Sequence, residues 1–235
     1  MVWDVKTGQQ LAMWHSQGLT SPVAYISPAP LPASSTSSAA QTFAVAYNDG
    51  SIRLWSFTPS TPEVEASEIV TFNGHKKSPT TLSWDADGSR LASGGTEGEI
   101  VVWDTVAEVG LFRLRGHRGP VTSIRFLPHP TLEVTAHPGY LVTTSKDTYM
   151  KLWDLSTQHC VQTVVVGRSE VTSCDVLEEE GEDEEDGRWV IITGSGDGEG
   201  RVWSIEKSDL TAGMAENASG EVCRLFIMTP ILQHC

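Results

Sequence analysis

Five tryptophans, Trp3, Trp55, Trp103, Trp153 and Trp203, recur at intervals of 52, 48, 50 and 50 residues. Spacing that even, over a 235-residue chain, calls for a unit repeated about every 50 residues. Periods of roughly 20–50 residues belong to stacked or radially repeated architectures. Each Trp closes a short β-rich run and is followed by Asp or Ser. The runs are MVWD at the start, SIRLWS ending at Ser56, EIVVWD ending at Asp104, YMKLWD ending at Asp154 and GRVWS ending at Ser204.

A second signal keeps the same register. The segments FAVAYNDG, LASGGTEG, LVTTSKDT and IITGSGDG each run from an apolar strand into a turn. Their acidic residues, Asp49, Glu97, Asp147 and Asp197, each lie six residues before a Trp. Glycine in such a turn admits positive φ, and the acid can bond the turn's own backbone, so these read as β-hairpins. A third signal, Gly74-His75 and Gly116-His117, ends one apolar run and precedes the next. Each period therefore holds four short strands, one before the Gly-His and three after it.

Four strands in each period, closing on Trp-Asp after a Gly-His, resemble the WD-repeat (WD40) family over nearly all of residues 1–205. The resemblance implies an all-β fold of the WD40 β-propeller type. It also implies that His, a Ser or Thr, the turn acid and the Trp form a buried hydrogen-bonded chain within a blade. Buried polar groups must be paired, and the two ring nitrogens of His can relay between an acid and a hydroxyl. The fullest set is His117, Ser145 or its neighbour Thr144, Asp147 and Trp153; the blade before it offers His75, Glu97 and Trp103. Asp49 with Trp55, and Asp197 with Trp203, stand in blades without the His. The last has Gly167-Arg168 instead, and the first has no Gly-His ahead of Ala24. Those two blades are expected to be less firmly pinned. The His and acid residues are read as structure and not as a catalytic dyad.

The count comes to about four complete blades plus a half. Residues 1–16 read as the last two strands of a preceding blade, followed by blades at 22–73, 78–115, 120–166 and 171–228. The outer strand of the last is assigned to 220–228, within a divergent tail at 206–235. WD propellers most often use seven or more blades, and unpaired sheet edges invite aggregation. The expectation is therefore a portion of a larger propeller, or a truncated gene product. Three insertions, Ser27 to Gln41, Leu127 to Gly139 and the acidic run Glu178 to Asp186, all fall between the first and second strands of a blade. They should emerge on one face, where loops tolerate insertion and carry function.

The net charge of −14 repels nucleic-acid backbones in bulk. Eight carboxylates are concentrated in the nine residues 178–186, and a block of like charge reads as a solvated loop or interaction tail. Lys76, Lys77, Arg113, Arg115 and Arg118 are few, and no aromatic platform for stacking bases accompanies them. Cysteines at 160, 174, 223 and 235 form no CxxC pair, and His129 and His137 lack further ligands at metal-binding spacing. No signal peptide or membrane span is read, and an intracellular, reducing compartment follows as the expectation. Neither a nucleophile elbow, a phosphate-binding loop nor HExxH occurs. ITGSGDGEG (192–200) mimics a dinucleotide fingerprint but lies in a hairpin and opens no helix. The expectation is a protein that is not an enzyme, with no cofactor, no metal and no small-molecule substrate.

Several stretches point to one branch of the family: FNGHKK, WDTVAEVGLFRLRGHRGPVTSIRFL, TTSKDTYMKLWDLSTQHCVQTVVVGRSEV, and VWDVKTG followed by AVAYNDGSIRLWS. They resemble the N-terminal propeller of a UTP-B WD-repeat subunit of the small-subunit processome. That family has two tandem propellers and a C-terminal helical domain, of which this chain matches part of the first propeller. The resemblance implies a scaffold acting in U3 snoRNP-dependent pre-rRNA processing and 18S rRNA maturation. Its partners would be other WD-repeat subunits of a UTP-B-like complex and the U3 snoRNP, with direct contact to the RNA left open. Its place would be the nucleus and nucleolus. The alternative is a generic WD-repeat adaptor, a signalling scaffold or ubiquitin-ligase substrate receptor, binding peptides on the propeller face. Fold alone does not separate the two.

Overall fold

A computed structural model describes residues 2–3, 6–12, 21–31, 40–59, 64–128, 138–179, 187–207, 210 and 226–228. Among them the chain forms eighteen strands arranged in one two-stranded and four four-stranded antiparallel sheets. The hairpin β1 (Val2–Trp3) and β2 (Gln10–Ala12) stands first. Sheet 1 follows, with β3 (Val23–Pro28), β4 (Gln41–Tyr47), β5 (Ser51–Pro59) and β6 (Val64–Asn73). Sheet 2 holds β7 (Pro79–Trp84), β8 (Arg90–Gly95), β9 (Glu99–Asp104) and β10 (Val109–Arg115). Sheet 3 holds β11 (Val121–Leu127), β12 (Tyr140–Ser145), β13 (Tyr149–Asp154) and β14 (His159–Val165). Sheet 4 holds β15 (Val171–Glu179), β16 (Arg188–Ser195), β17 (Gly200–Glu206) and β18 (Phe226–Met228). The side chain of Trp3 and residues 220–225 lie outside the described residues.

Each sheet is a meander in sequence order, as short antiparallel strands joined by tight turns require. The sheets stack side by side through their inner strands, β3 on β7, β7 on β11 and β11 on β15. Three apolar clusters fill the spaces between them. Ala44, Ala46, Ile52, Leu54 and Phe72 of sheet 1 meet Leu82, Leu91, Val101 and Trp103 of sheet 2. Ala92, Ile100, Val102 and Leu114 of sheet 2 meet Ile124, Leu141, Trp153 and Leu155 of sheet 3. Leu127, Tyr140, Val142, Met150 and Leu152 of sheet 3 meet Cys174, Trp189, Ile191, Trp203 and Ile205 of sheet 4. Central strands are consequently apolar on both faces. β12 is buried along its whole length, whereas outer β14 is exposed or half-buried throughout. Every sheet thus has a leading face, which carries the repeat tryptophan, and the trailing faces of sheets 1, 2 and 3 cover the next sheet's tryptophan.

Candidate functional site

The buried polar chains within the sheets are the most elaborate polar geometry in the molecule. In sheet 3, the indole N–H of Trp153 donates to Thr143 Oγ1 at 2.8 Å. That hydroxyl lies 2.8 Å from His117 Nε2, and His117 Nδ1 lies 2.9 Å from Asp147 Oδ2. Sheet 2 repeats the arrangement: Trp103 Nε1 to Ser93 Oγ at 2.8 Å, Ser93 Oγ to His75 Nε2 at 2.7 Å, His75 Nδ1 to Glu99 Oε1 at 3.0 Å. Indole only donates, so each hydroxyl accepts from its Trp. A neutral imidazole then satisfies the whole chain, with Nδ1–H donating to the carboxylate and Nε2 accepting the hydroxyl proton. Burial pushes both His75 and His117 below the ordinary imidazole pKa, although Glu99 and Asp147 pull the other way.

Two expected members are corrected. The hydroxyl in sheet 3 is Thr143, not Ser145 or Thr144. Successive strand residues face opposite sides. Thr144 therefore points to the other face and bonds Thr122 at 3.0 Å. Ser145 is at the strand's end, where it bonds Gly119 O at 3.0 Å and accepts the N–H of Asp147. The acid in sheet 2 is Glu99, not Glu97. Glu97 sits in the solvent-facing turn and pairs with exposed Lys77 at 3.1 Å. Glu99 opens β9 on the same face as Trp103, and its longer side chain reaches back to His75. Arg113 pairs with Glu99 as well and donates to Gly74 O at 2.6 Å. Position ten before the Trp was the legible signal: it holds Ser93, Thr143 and Thr193, and Val45 in sheet 1.

Sheet 4 keeps the Trp bond, Trp203 Nε1 to Thr193 Oγ1 at 2.9 Å. Arg168 is exposed, and Arg201 from β17 fills the place of the missing His. Its guanidinium underlies Gly167, donates to Ser195 Oγ at 2.6 Å and Asp197 Oδ2 at 3.1 Å, and also pairs with Glu199. In sheet 1, Asp49 accepts from Ser51 N at 2.8 Å and Ser51 Oγ at 2.7 Å. Trp55 there is half-buried. The Asp of Trp-Asp has its own task. Asp104 accepts from the N–H groups of Val106 and Ala107 at 2.9 and 2.7 Å, and Asp154 from those of Ser156 and Thr157. It closes the turn between the third and fourth strands.

All three long insertions leave the inner strands β3, β11 and β15 at the same end, so their points of departure lie on one face of the arc. Residues 32–39, 129–137 and 180–186 lie outside the described residues, and with them His129, His137 and most of the acidic run. The roots of the first two are anchored on sheet 2. Trp84 Nε1 donates to Ser27 O at 3.3 Å, and Arg90 donates to Pro138 O at 2.6 Å. Arg90 also lies over the Phe126 ring at 5.4 Å and pairs with Asp85 at 2.8 Å. A cleft of about 360 Å³ beside the second root is lined by Trp84, Asp85, Asp87, Arg90, Phe126 and Pro128. Among the described residues no group of three His, Cys, Asp or Glu is placed to hold a metal ion. No helix among them is long and apolar enough to cross a membrane.

Meandering four-stranded sheets packed through their inner strands, with Trp–hydroxyl–His–acid chains inside them, define a WD-repeat β-propeller protein. Residues 1–205 match the family described as the WDR3 first beta-propeller domain, and the chain belongs to that family. It is 32% identical over 173 residues to U3 small nucleolar RNA-associated protein 12 of Saccharomyces cerevisiae, covering 72% of this chain and 16% of that one. Nuclear distribution protein PAC1 of Arthroderma otae is 29% identical over 166 residues, covering 69% of this chain and 33% of PAC1. The solved structure titled U3-55K superimposes with a TM-score of 0.59 at 22% identity, over 80% of this chain and 50% of that one. The chain thus spans a sixth to a third of the length of these curated relatives.

Proposed function

We propose that the chain is a non-enzymatic WD-repeat scaffold of the small-subunit processome, acting in U3 snoRNP-dependent pre-rRNA processing and 18S rRNA maturation in the nucleolus. The observation that carries this reading is the family match over residues 1–205, seconded by the relative whose name ties it to U3 small nucleolar RNA. The polar geometry is consistent with a scaffold. His75 and His117 spend both ring nitrogens inside their sheets, so neither has a nitrogen left for a substrate. Partners, other WD-repeat subunits of a UTP-B-like complex, would meet the face from which the three insertions leave, where Trp84 and Arg90 hold the roots of the first two.

The test is affinity capture of the tagged chain from cells, with measurement of U3 RNA enrichment, nucleolar position and 18S precursors after depletion. U3 RNA and WD-repeat partners should be recovered, and deletion of residues 129–137 should reduce partner recovery while leaving the fold intact. A chain that stays cytosolic and recovers no U3 RNA refutes the proposal.

A further inference from the structure

The inner strands begin at the end of the sheets opposite to the one from which the insertions leave. The connections that lead into β7, β11 and β15, residues 74–78, 116–120 and 166–170, lie at that end. The turns 96–98 and 146–148 lie beside them, joined by Thr96 N to Ser78 O at 3.2 Å and Lys146 N to Pro120 O at 3.0 Å. All of these residues are among those described, so this surface is complete from sheet 2 to the start of sheet 4.

Its charges do not balance. Each carboxylate here already has a partner. Lys77 pairs with Glu97 and Lys146 with Glu170, both at 3.1 Å. Arg113 pairs with Glu99, Arg201 with Asp197 and Glu199, and Asp147 turns inward to His117. Four cations are left over: Lys76, Arg115, Arg118 and Arg168 are exposed, and none has an ion pair among the described residues. This surplus stands in a chain whose net charge is −14. The acids that outweigh it belong to the other end. Asp85, Asp87, Asp104, Glu108 and Asp154 lie in the turns there, and the run 178–186 follows the far end of β15, nine residues or about 30 Å away.

The cations also keep the repeat. Lys76 and Arg118 directly follow His75 and His117, and Arg168 stands where the third His would be. Packed sheets lie about 10 Å apart, a step that an extended chain covers in about three residues. Three of the four are Arg, whose planar fork takes a carboxylate with two parallel bonds. The connections and turns at this surface contain no Phe, Tyr or Trp, so nothing in them stacks the bases of a single-stranded nucleic acid.

We propose that this surface receives an acidic segment of a partner protein, an extended stretch with a carboxylate at about every third residue. Lys76, Arg115, Arg118 and Arg168 hold it. The surface lies opposite the insertions and is independent of the proposed role in pre-rRNA processing.

Fluorescence anisotropy of the full 235-residue chain at low ionic strength tests it, with a labelled peptide carrying Glu at every third residue and its Gln counterpart. The Glu peptide should bind and the Gln peptide should not, and added salt should weaken binding because the charges are exposed. Either Arg118→Glu or Arg168→Glu should weaken it at least about fivefold. Arg188→Glu, an equal change of charge at the far end of sheet 4, should leave it unchanged. Circular dichroism checks that each variant is folded. Failure to bind the Glu peptide overturns the proposal, as does equal binding of the Gln peptide or an equal loss with Arg188→Glu. A labelled oligouridine bound more tightly through the same arginines would overturn it in favour of nucleic acid.

Discussion

Sheets 3 and 4 are built on one plan, offset by 50 residues, and live in different surroundings. Both bond the repeat tryptophan to a threonine ten residues earlier, at 2.8 and 2.9 Å. Sheet 3 ties that threonine to a buried His and acid, with a sheet packed on each of its faces. Sheet 4 puts Arg201 with Asp197 and Glu199 where the His would be, near solvent, and among the described residues has one sheet beside it. The difference separates two functions of the repeat. The Trp–hydroxyl bond anchors the third strand to the second, and either an imidazole or a guanidinium can brace the turn above it.

The largest effect should come from the anchor. Trp153→Ala removes a buried indole and leaves Thr143 without its donor, and should cost about 3–5 kcal/mol in urea unfolding. Trp203→Ala should cost about 1 kcal/mol less, because Thr193 is not tied to an imidazole. Trp55→Ala, at a half-buried site, should cost less than half as much as Trp153→Ala. Equal losses at all three positions would break the distinction between sheets. Next comes a pair of identical side chains at matching positions. Leu127→Ala should lose about 2–5 kcal/mol and Leu177→Ala no more than about 0.5 kcal/mol, measured where the chain is dilute. Similar losses would mean that something covers sheet 4.

Acidification should divide the sheets too. The unfolded chain takes up His protons as pH falls below about 6.5, while burial holds folded His75 and His117 lower. Their contribution is therefore complete above that pH and drains away as pH falls toward the folded-state values. Glu99 and Asp147 follow at lower pH. Burial alone would raise both, but His75 and Arg113 around Glu99, and the N–H of Arg118 with His117 around Asp147, more than offset it. These carboxylates stabilise above about pH 4 and lose that contribution as they protonate. Between pH 7.5 and 5.5, amide protection in β12 and β13, corrected for intrinsic exchange, should fall more than in β16 and β17, because no His braces sheet 4. Replacing both His75 and His117 with Gln should flatten the pH dependence.

The repeat was legible because Trp spacing and strand parity are properties of sequence alone. The four-stranded sheets, the turn acids and the common end of the insertions all follow from that period. What misled was distance along the chain taken as distance in space. Asp147 and Glu97 share a sequence offset from their tryptophans, yet only the short Asp, held by the N–H groups of Arg118 and Tyr149, turns inward. Glu99 reaches the same His from two residues further on. Arg201 was invisible for a related reason: it takes the place of a His expected at position 168, 33 residues earlier in the chain and across the sheet. Parity would have excluded Thr144, but choosing Thr143 over Ser145 needed the reach of the indole.

The smallest effect concerns the turns that carry those acids. Gly50, Gly98 and Gly198 follow the acid at φ of 93, 78 and 83°. Sheet 3 has Thr148 there, at φ 75°, a conformation that a β-branched residue adopts only under strain. Backbone bonds hold it: its N–H donates to Ser145 O at 3.3 Å, and its carbonyl accepts from Val166 N at 3.0 Å. Relieving the strain should yield about 1–2 kcal/mol, of which the added freedom of glycine in the unfolded chain takes back about 0.5–1 kcal/mol. Thr148→Gly should therefore raise stability by a net of about 0.5–1 kcal/mol. The mirror substitution, Gly198→Thr, meets no neighbouring atoms and so reports φ strain alone. Equal and opposite shifts in the urea midpoint would show that the two turns are set by their own backbones. A larger loss at Gly198 than gain at Thr148 would show that packing between sheets 3 and 4 supports the strained turn, a support that the turn of sheet 4 does not receive.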